Sequence, residues 1–225
     1  MPRAAEYQHT TGELFPEKII RQEELTQGTY LLEVGQRFPF LSGQVVKVAV
    51  DGTEPPRIYS ICNGNNQNRL QILYTVKEDG YLTPRLALKK PGDIILISRP
   101  YGGFTGNDQP AWWIAAGTGI APFHSMLQSG MISNKKLIHG AGYARQFYFK
   151  DEFMDILGSD YIRCCSREKA SFCFHGRVTD YLQDQELPPD MPFFICGKAL
   201  MVVEVRDRLI SKGIDYDAII AEIYF

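Results

Sequence analysis

Hydrophobic residues follow two different patterns in the two halves of the chain. From about residue 19 to residue 104, short β-branched and apolar runs alternate with turn residues, which predicts strands at 45–50, 57–60, 70–76 and 94–97. One short helix is predicted over 83–89, with Thr83 as its cap and Pro84 in its first turn. This spacing is typical of an antiparallel β-barrel or sandwich.

From about residue 110 the pattern changes to buried strands that alternate with helices. Strands are predicted at 112–116, 136–138, 161–165, 193–196 and 218–221. Before the last strand, Met201, Val205 and Leu209 form the apolar stripe of a helix that stops at Lys212-Gly213. A parallel sheet covered by helices follows. We therefore predict two domains, residues 1–105 and 106–225.

Composition narrows the classes of function. The 225 residues are 44% hydrophobic and 22% charged, which is typical of a globular protein with enough apolar material for one large or two small cores. The net charge of -2 gives no electrostatic footprint for nucleic acid or an anionic membrane. No apolar run has the length of a membrane span, and the first residues lack the apolar core of a signal peptide. We expect a cytoplasmic protein.

Cysteine and histidine suggest no metal site. The five cysteines match neither a disulfide framework nor the spacings of zinc or iron-sulfur ligands. Cys164 and Cys165 are predicted to be small buried residues of a strand. None of the four histidines has an acidic or nucleophilic partner nearby in the sequence, so no catalytic role is assigned to them.

The segment Arg57-Ile58-Tyr59-Ser60 contains the first candidate binding residues. Arg57 and Tyr59 project to the same side of a strand, where a guanidinium could hold a phosphate and the phenol could pack on a planar ring. Those two features describe a flavin nucleotide. The alternative is an ordinary edge strand with a surface arginine.

A glycine-containing turn follows the first strand of the second half. Gly117-Thr118-Gly119 opens a helix, where backbone amides can receive a pyrophosphate, although a tight turn alone would also explain it. Pro122 replaces the third glycine of the dinucleotide fingerprint, and no acidic residue stands about 20 positions later, so an NAD-dependent Rossmann dehydrogenase fits poorly. Ser166, Arg167 and Arg177 follow later strands and could bind a 2′-phosphate.

Several motifs occur in the order in which one family carries them. They are Gly43-Gln44, Arg57-x-Tyr59-Ser60, Gly80-Tyr81-Leu82-Thr83-Pro84-Arg85-Leu86, Pro91-Gly92-Asp93, Gly117-Thr118-Gly119-Ile120-Ala121-Pro122, Ser166-Arg167-Glu168, Cys196-Gly197 with Met201, and Ala221-Glu222-Ile223-Tyr224-Phe225. Over nearly its whole length the chain resembles the ferredoxin (flavodoxin) NADP reductase family in its bacterial type. The resemblance implies an antiparallel β-barrel FAD-binding domain followed by an α/β parallel-sheet NADP-binding domain.

The resemblance also implies roles for single residues toward FAD. Arg57 would neutralise the pyrophosphate, Tyr59 would pack on one face of the isoalloxazine, and Ser60 would hydrogen-bond near flavin N5. Tyr224 would cover the opposite face and Phe225 would pack toward the adenine. The remaining FAD contacts are expected from Ile58, from Leu73, Tyr74, Thr75 and Val76 beside the adenosine, from Tyr81, Leu82 and Thr83 at the diphosphate, and from Thr118.

A second set of residues would bind NADP(H) and surround the reacting atoms. The NADP set is Gly117, Gly119, Ala141, Gly142, Ser166, Arg167, Arg177, Cys196 and Gly197. The catalytic set is Ser60, Cys196, Glu222 and Tyr224, with Glu222 relaying a proton or positioning the nicotinamide. Bacterial members commonly carry an arginine at the position of Gly142, so the preference for NADPH over NADH depends on Ser166, Arg167 and Arg177.

The resemblance implies a transient, acidic partner, ferredoxin or flavodoxin, with which this protein exchanges single electrons. We expect the protein itself to be a monomer. Arg85, Lys89, Lys90 and Arg99 could steer such a partner, or could form an ordinary solvated face. Two alternatives remain. One is an NAD(P)H-dependent flavin or quinone reductase, or the reductase component of an oxygenase; the other is a flavin-binding regulatory module without turnover.

Overall fold

A computed structural model describes residues 12–224, and the predicted contact of Phe225 with adenine lies outside this range. Six antiparallel strands form the first sheet in the order β4-β3-β6-β1-β2-β5. Their bounds are Leu14–Thr26 (β1), Thr29–Gly35 (β2), Val45–Ala49 (β3), Arg57–Ser60 (β4), Arg69–Thr75 (β5) and Ile94–Ser98 (β6). An isolated bridge between Ile61 and Ile72 joins the two outer strands, so the sheet closes into the predicted barrel.

The barrel differs from the prediction at two places. The helix α1 spans Leu82–Ala87 and its N-cap is Tyr81, so the expected cap at Thr83 is wrong. Thr83 lies inside the first turn, where its Oγ1 accepts a hydrogen bond from the Lys77 amide at 2.9 Å. The pair β1 and β2 was not predicted as two strands, because β1 is largely polar and buries fully only Ile19.

The second sheet contains six parallel strands in the order β10-β9-β8-β7-β11-β12. Their bounds are Ala111–Ala116 (β7), Lys135–Ala141 (β8), Tyr161–Cys165 (β9), Phe174–His175 (β10), Phe193–Lys198 (β11) and Ile219–Tyr224 (β12). The five predicted strands are confirmed, whereas the short β10 was missed. The helices are Ala121–Gln128 (α2), Lys150–Leu157 (α3), Val178–Gln183 (α4) and Ala199–Ser211 (α5).

The predicted stripe of α5 packs on the sheet. Val205 and Leu209 are fully buried in one cluster with β7, β8 and β11 residues, and Met201 packs against that cluster. Lys212 is the C-cap and Gly213 follows with a φ of 87°, as expected of a helix stop. Cys164 and Cys165 are fully buried, as predicted.

The barrel and the parallel sheet share part of their hydrophobic core. Cys62, Leu73 and Phe104 of the first half belong to the same buried cluster as Trp113 and Phe123 of the second. A second cluster fills the barrel interior. The carboxyl ends of the parallel strands consequently lie at a fixed position relative to β4. Within residues 12–224, no helix combines the length and the apolar character needed to cross a membrane.

Candidate active site

Four polar side chains meet where the barrel faces the parallel sheet. Ser60, the last residue of β4, donates a hydrogen bond from Oγ to Glu222 Oε2 at 2.8 Å. Tyr224 donates from its hydroxyl to Ser60 Oγ at 2.6 Å. Cys196 Sγ contacts Glu222 Oε2 at 3.9 Å, since Cys196 on β11 is paired in register with Glu222 on β12. The structure thus brings together all four residues of the predicted catalytic set.

Burial sets the protonation of this group. It raises the pKa of Glu222 to about 7, against the opposing effect of the hydrogen bonds from Ser60 and Cys196. The Cys196 thiol is fully buried, and its pKa lies well above the ordinary value because of burial and the neighbouring Glu222. Cys196 therefore stays a neutral donor, whereas Glu222 exchanges a proton near neutral pH.

The turn after β7 lies directly against Cys196. It is a short 3-10 helix, Gly117–Ile120, that enters α2, and Gly117 has a φ of 56°. A Cβ added at Gly119 would lie 2.2 Å from the Cys196 carbonyl oxygen, so only glycine fits there. This approach holds Thr118, which is partly exposed, beside the end of β11.

The residues predicted for the flavin ring and phosphate lie on β4. Arg57 is exposed and forms no ion pair with any residue in the described range 12–224, so its guanidinium is available to an anion. Tyr59 is half-buried, its ring is 6.4 Å from that of Tyr74, and burial raises its pKa to about 12. Ile58 points outward with 55% of its surface exposed.

Other predicted FAD contacts are constrained by burial. The side chains of Leu73, Tyr74, Leu82 and Thr83 are buried, so a ligand would meet these residues through their backbone. Thr75 is exposed and Val76 is half-buried. Tyr81 is exposed, and its hydroxyl lies 3.0 Å from Thr53 Oγ1.

The predicted NADP residues line one edge of the parallel sheet. Ser166 donates its amide hydrogen to the Ala141 carbonyl, and Arg167 donates to the Gly142 carbonyl, both at 3.0 Å. Gly176 donates likewise to the Cys165 carbonyl, which places Arg177 just after β10, beside the end of β9. Gly197 ends the same edge on β11. Carboxyl ends of parallel strands are the usual ligand-binding edge of such sheets.

Comparison with known proteins agrees with this arrangement. Residues 113–207 match the family model for an oxidoreductase NAD-binding domain. The ferredoxin–NADP reductase of Azotobacter vinelandii is 30% identical over 206 residues, which cover 78% of this chain and 80% of that protein. The chain belongs to the ferredoxin/flavodoxin–NADP reductase family.

Two further proteins match most of this chain. The flavodoxin/ferredoxin–NADP reductase of Escherichia coli is 28% identical over 215 residues, covering 84% of this chain and 87% of that protein. A ferredoxin NADP+ reductase from Neisseria gonorrhoeae, solved with bound FAD and NADP, superposes with a TM-score of 0.87 at 21% identity over 94% of this chain and 99% of that one. The family's order, an antiparallel FAD-type barrel followed by a parallel α/β domain, is the order seen here.

Tyr143 was not predicted as a site residue of this family member. The guanidinium carbon of Arg145 lies 4.6 Å from the centre of its ring, and that of Arg167 lies 5.9 Å away. A Cβ at Gly142 would lie 3.6 Å from Arg167 Cδ, so the Arg167 side chain runs past the backbone of Gly142. Tyr143 thus aligns two cations beside Gly142.

His124 on α2 has partners that its sequence neighbours do not reveal. Its Nδ1 lies 2.6 Å from the Cys62 carbonyl, its Nε2 lies 3.1 Å from Glu152 Oε2, and its ring stacks on Phe149 at 3.7 Å. The close approach of His124 to its carboxyl group lowers the pKa of Glu152 to about 2. The acidic partner of His124 comes from a distant segment of the chain, and through these contacts His124 joins the barrel to α3.

We predict that the Glu222→Gln variant loses less stability than the unmodified protein as the pH rises. The folded pKa of about 7 lies above the ordinary 4.5, so the folded state retains a proton that the unfolded state loses between these values. The free energy of unfolding should fall by about 1–2 kcal/mol across that window in the unmodified protein, allowing for solvent screening. Urea unfolding at pH 4.5, 6 and 8 should show a smaller decrease for the variant.

The matched control is Glu78→Gln, a substitution of the same type at an exposed position. Its pH profile should follow that of the unmodified protein. An unchanged profile for Glu222→Gln would show that the carboxyl group is not held neutral by burial.

Proposed function

We propose that the protein is an FAD-dependent ferredoxin/flavodoxin–NADP reductase. The proposal rests on the contacts among Ser60, Cys196, Glu222 and Tyr224, where the barrel meets the parallel sheet. Family membership at 30% identity supports it. The proposed division of labour assigns FAD to residues 1–105 and NADP(H) to residues 106–225.

The residues around this junction suit FAD. The free guanidinium of Arg57 would hold the pyrophosphate, and the Tyr59 ring would support the isoalloxazine. Thr118 would approach the isoalloxazine from the side of the parallel sheet. When bound, FAD supplies the step between two-electron exchange with NADP(H) and one-electron exchange with a carrier protein. Tyr224 would lie on the flavin face opposite Tyr59 and would have to move to admit the nicotinamide.

The chain's own groups position the reactants and handle a proton. Ser60 Oγ accepts from Tyr224 and donates to Glu222, so movement of Tyr224 frees an acceptor on Ser60. Glu222, with a pKa of about 7, can release or take a proton at Oε2 through Ser60. Cys196 keeps its proton and its bulk fixes how closely a ring can approach, while Gly197 continues the strand beside it.

Ser166, Arg167 and Arg177 would bind the 2′-phosphate of NADP(H). They follow neighbouring strand ends, and Arg167 fills the space beside Gly142. Ala141, Gly142, Gly117 and Gly119 would supply backbone contacts to the nucleotide. A monomer in the cytoplasm remains our prediction for the working form of the protein.

We predict that Ser60→Ala slows reduction of the bound flavin more than it weakens NADPH binding. The variant removes the group that links Tyr224 to Glu222, and loss of one such hydrogen bond should cost about tenfold in rate. Anaerobic stopped-flow reduction with NADPH gives the limiting rate and the dissociation constant separately. Ser42→Ala, at another buried serine of the first half, is the control and should reduce at the normal rate.

Equal limiting rates for Ser60→Ala and the unmodified protein would contradict the assigned role of Ser60. An absence of flavin in the purified protein, or of any reduction by NADPH, would contradict the proposed function itself.

We predict that Arg167→Ala weakens selection of NADPH. Removing a charge-assisted contact to the 2′-phosphate should raise KM for NADPH by about 10- to 100-fold and leave KM for NADH within about twofold. The control is Arg206→Ala, which removes an arginine of α5 that pairs with Asp207. If the unmodified protein used NADH as well as NADPH, the assignment of Ser166, Arg167 and Arg177 would be wrong.

We further propose ferredoxin or flavodoxin as the transient acceptor, with Lys89 and Lys90 as the steering charges. Among the basic residues of this stretch, Arg85 pairs with Asp51 and Arg99 stacks on Phe38 at 4.0 Å, so these two are engaged within the protein. The two lysines remain at the surface after α1, although the side chain of Lys89 is partly covered.

The double variant Lys89→Glu/Lys90→Glu should reduce a flavodoxin about tenfold more slowly at low salt, and its rate should depend less on salt than that of the unmodified protein. Lys212→Glu at the end of α5 is the control. Salt-independent reduction by the unmodified protein, together with fast reduction of free flavin or quinone, would favour the flavin or quinone reductase instead.

A further inference from the structure

Lys198 is a cation at the carboxyl edge of the parallel sheet that has no role in the site described above. It is the last residue of β11, directly after Gly197, and its side chain is exposed. Lys198 forms no ion pair with any carboxylate of residues 12–224, Glu222 included. The first turn of α5, which follows it, contains no acidic residue. The charge of Lys198 is therefore available to an anionic ligand.

Alternation along β11 turns Lys198 toward the candidate active site. Cys196 belongs to the buried cluster shared with the barrel, whereas its neighbour Ile195 packs on the opposite face with residues of α5. Lys198 is two positions after Cys196 and therefore projects to the same face as Cys196. Its partner in the parallel register is Tyr224, just as Cys196 is paired with Glu222. Lys198 thus lies beside Tyr224, on the face of the sheet that meets the barrel.

The turn after β7 lies against the backbone that carries Lys198. A Cβ added at Gly119 would lie 2.9 Å from the Cα of Gly197, the residue that precedes Lys198. The turn itself, Gly117–Ile120, contains no charged side chain, so it can offer an anion only its backbone amides and the Thr118 hydroxyl. Lys198 brings a full positive charge to the same place, next to these neutral donors.

The order of the strands indicates which part of a dinucleotide reaches Lys198. The sheet runs β9-β8-β7-β11-β12, with Arg167 following β9 and Tyr224 on β12. Neighbouring strands are about 4.8 Å apart, so β11 lies about 14 Å from β9 and directly beside β12. With the 2′-phosphate at Arg167 and the nicotinamide near Tyr224, the pyrophosphate crosses β7 and β11. The phosphate nearer the nicotinamide then falls at β11, where Lys198 is.

We propose that Lys198 binds the phosphate that carries the nicotinamide ribose in the pyrophosphate of NADP(H). This inference rests on the proposed function and adds a binding residue to it. An ammonium group suits a phosphate that presents oxygens in several directions, because its three donors rotate freely. NADH carries the same pyrophosphate as NADPH. Lys198 therefore supplies affinity for both coenzymes, whereas Arg167 supplies the preference for NADPH.

The test compares the FAD-bound Lys198→Gln variant with the unmodified protein by calorimetry. The dissociation constant for NADP+ should rise about tenfold, as expected for loss of one charge-assisted contact. The dissociation constant for 2′,5′-ADP, which lacks the phosphate on the nicotinamide side, should change by less than about twofold. In steady-state kinetics, KM should rise by the same factor for NADPH and for NADH, so that their ratio stays constant. Arg167→Ala should change that ratio.

Lys198→Arg keeps the charge and should bind NADP+ within about threefold of the unmodified protein. Lys212→Gln, at the other end of α5, is the matched control and should bind NADP+ normally. Unchanged affinity of Lys198→Gln for NADP+, an equal loss of affinity for 2′,5′-ADP, or a lower flavin content would overturn this inference alone. If the unmodified protein bound no NADP+ and NADPH did not reduce its flavin, the proposed function would fail together with it.

Discussion

The packing of the barrel's outer surface on α2 determines where Ser60 lies relative to the parallel sheet, and the candidate site depends on that position. Leu73 and Cys62 lie in one cluster with Phe123, and the Trp113 ring stacks on Phe123 at 5.5 Å. His124, on the same helix, contacts the Cys62 carbonyl, two residues after Ser60. Because this contact fixes β4 against the parallel sheet, Ser60 can meet Glu222 and Tyr224, which come from the other end of the sequence.

The same junction explains why the pKa values of Glu222 and Cys196 are raised. Water is excluded from Cys196, and only partial access remains at Glu222, so desolvation outweighs the hydrogen bonds that would favour a carboxylate. The edge of the sheet that carries the proposed NADP residues has the opposite character. Ser166, Arg167 and Arg177 are exposed, because they follow the ends of strands at the rim of the sheet. Proton exchange and recognition of charge are therefore placed in different dielectric surroundings.

The sequence predicted the fold class and most strands because apolar runs and turn residues are local signals. It missed β1, which is largely polar and fully buries only Ile19, and with it the partner strand β2. It placed the α1 cap at Thr83, because a threonine before a proline is a typical helix start, whereas here Thr83 accepts the Lys77 amide from within the first turn. The motifs identified Ser60, Cys196, Glu222 and Tyr224, but they did not reveal that Ser60 links Tyr224 to Glu222 by hydrogen bonds. The contact between Tyr143 and Arg167 and the His124–Glu152 pair join distant segments, for which a single sequence carries no pattern.

The shared cluster around Leu73, Phe104 and Phe123 also limits how this architecture can be recombined. A chimera that takes its barrel from one relative and its parallel sheet from another would join two surfaces that were not selected together. A crossover placed after α2 would keep Cys62, Leu73, Phe104, Trp113 and Phe123 of the cluster together. The best crossover point in this chain therefore lies after α2, and not where the antiparallel barrel gives way to the parallel sheet.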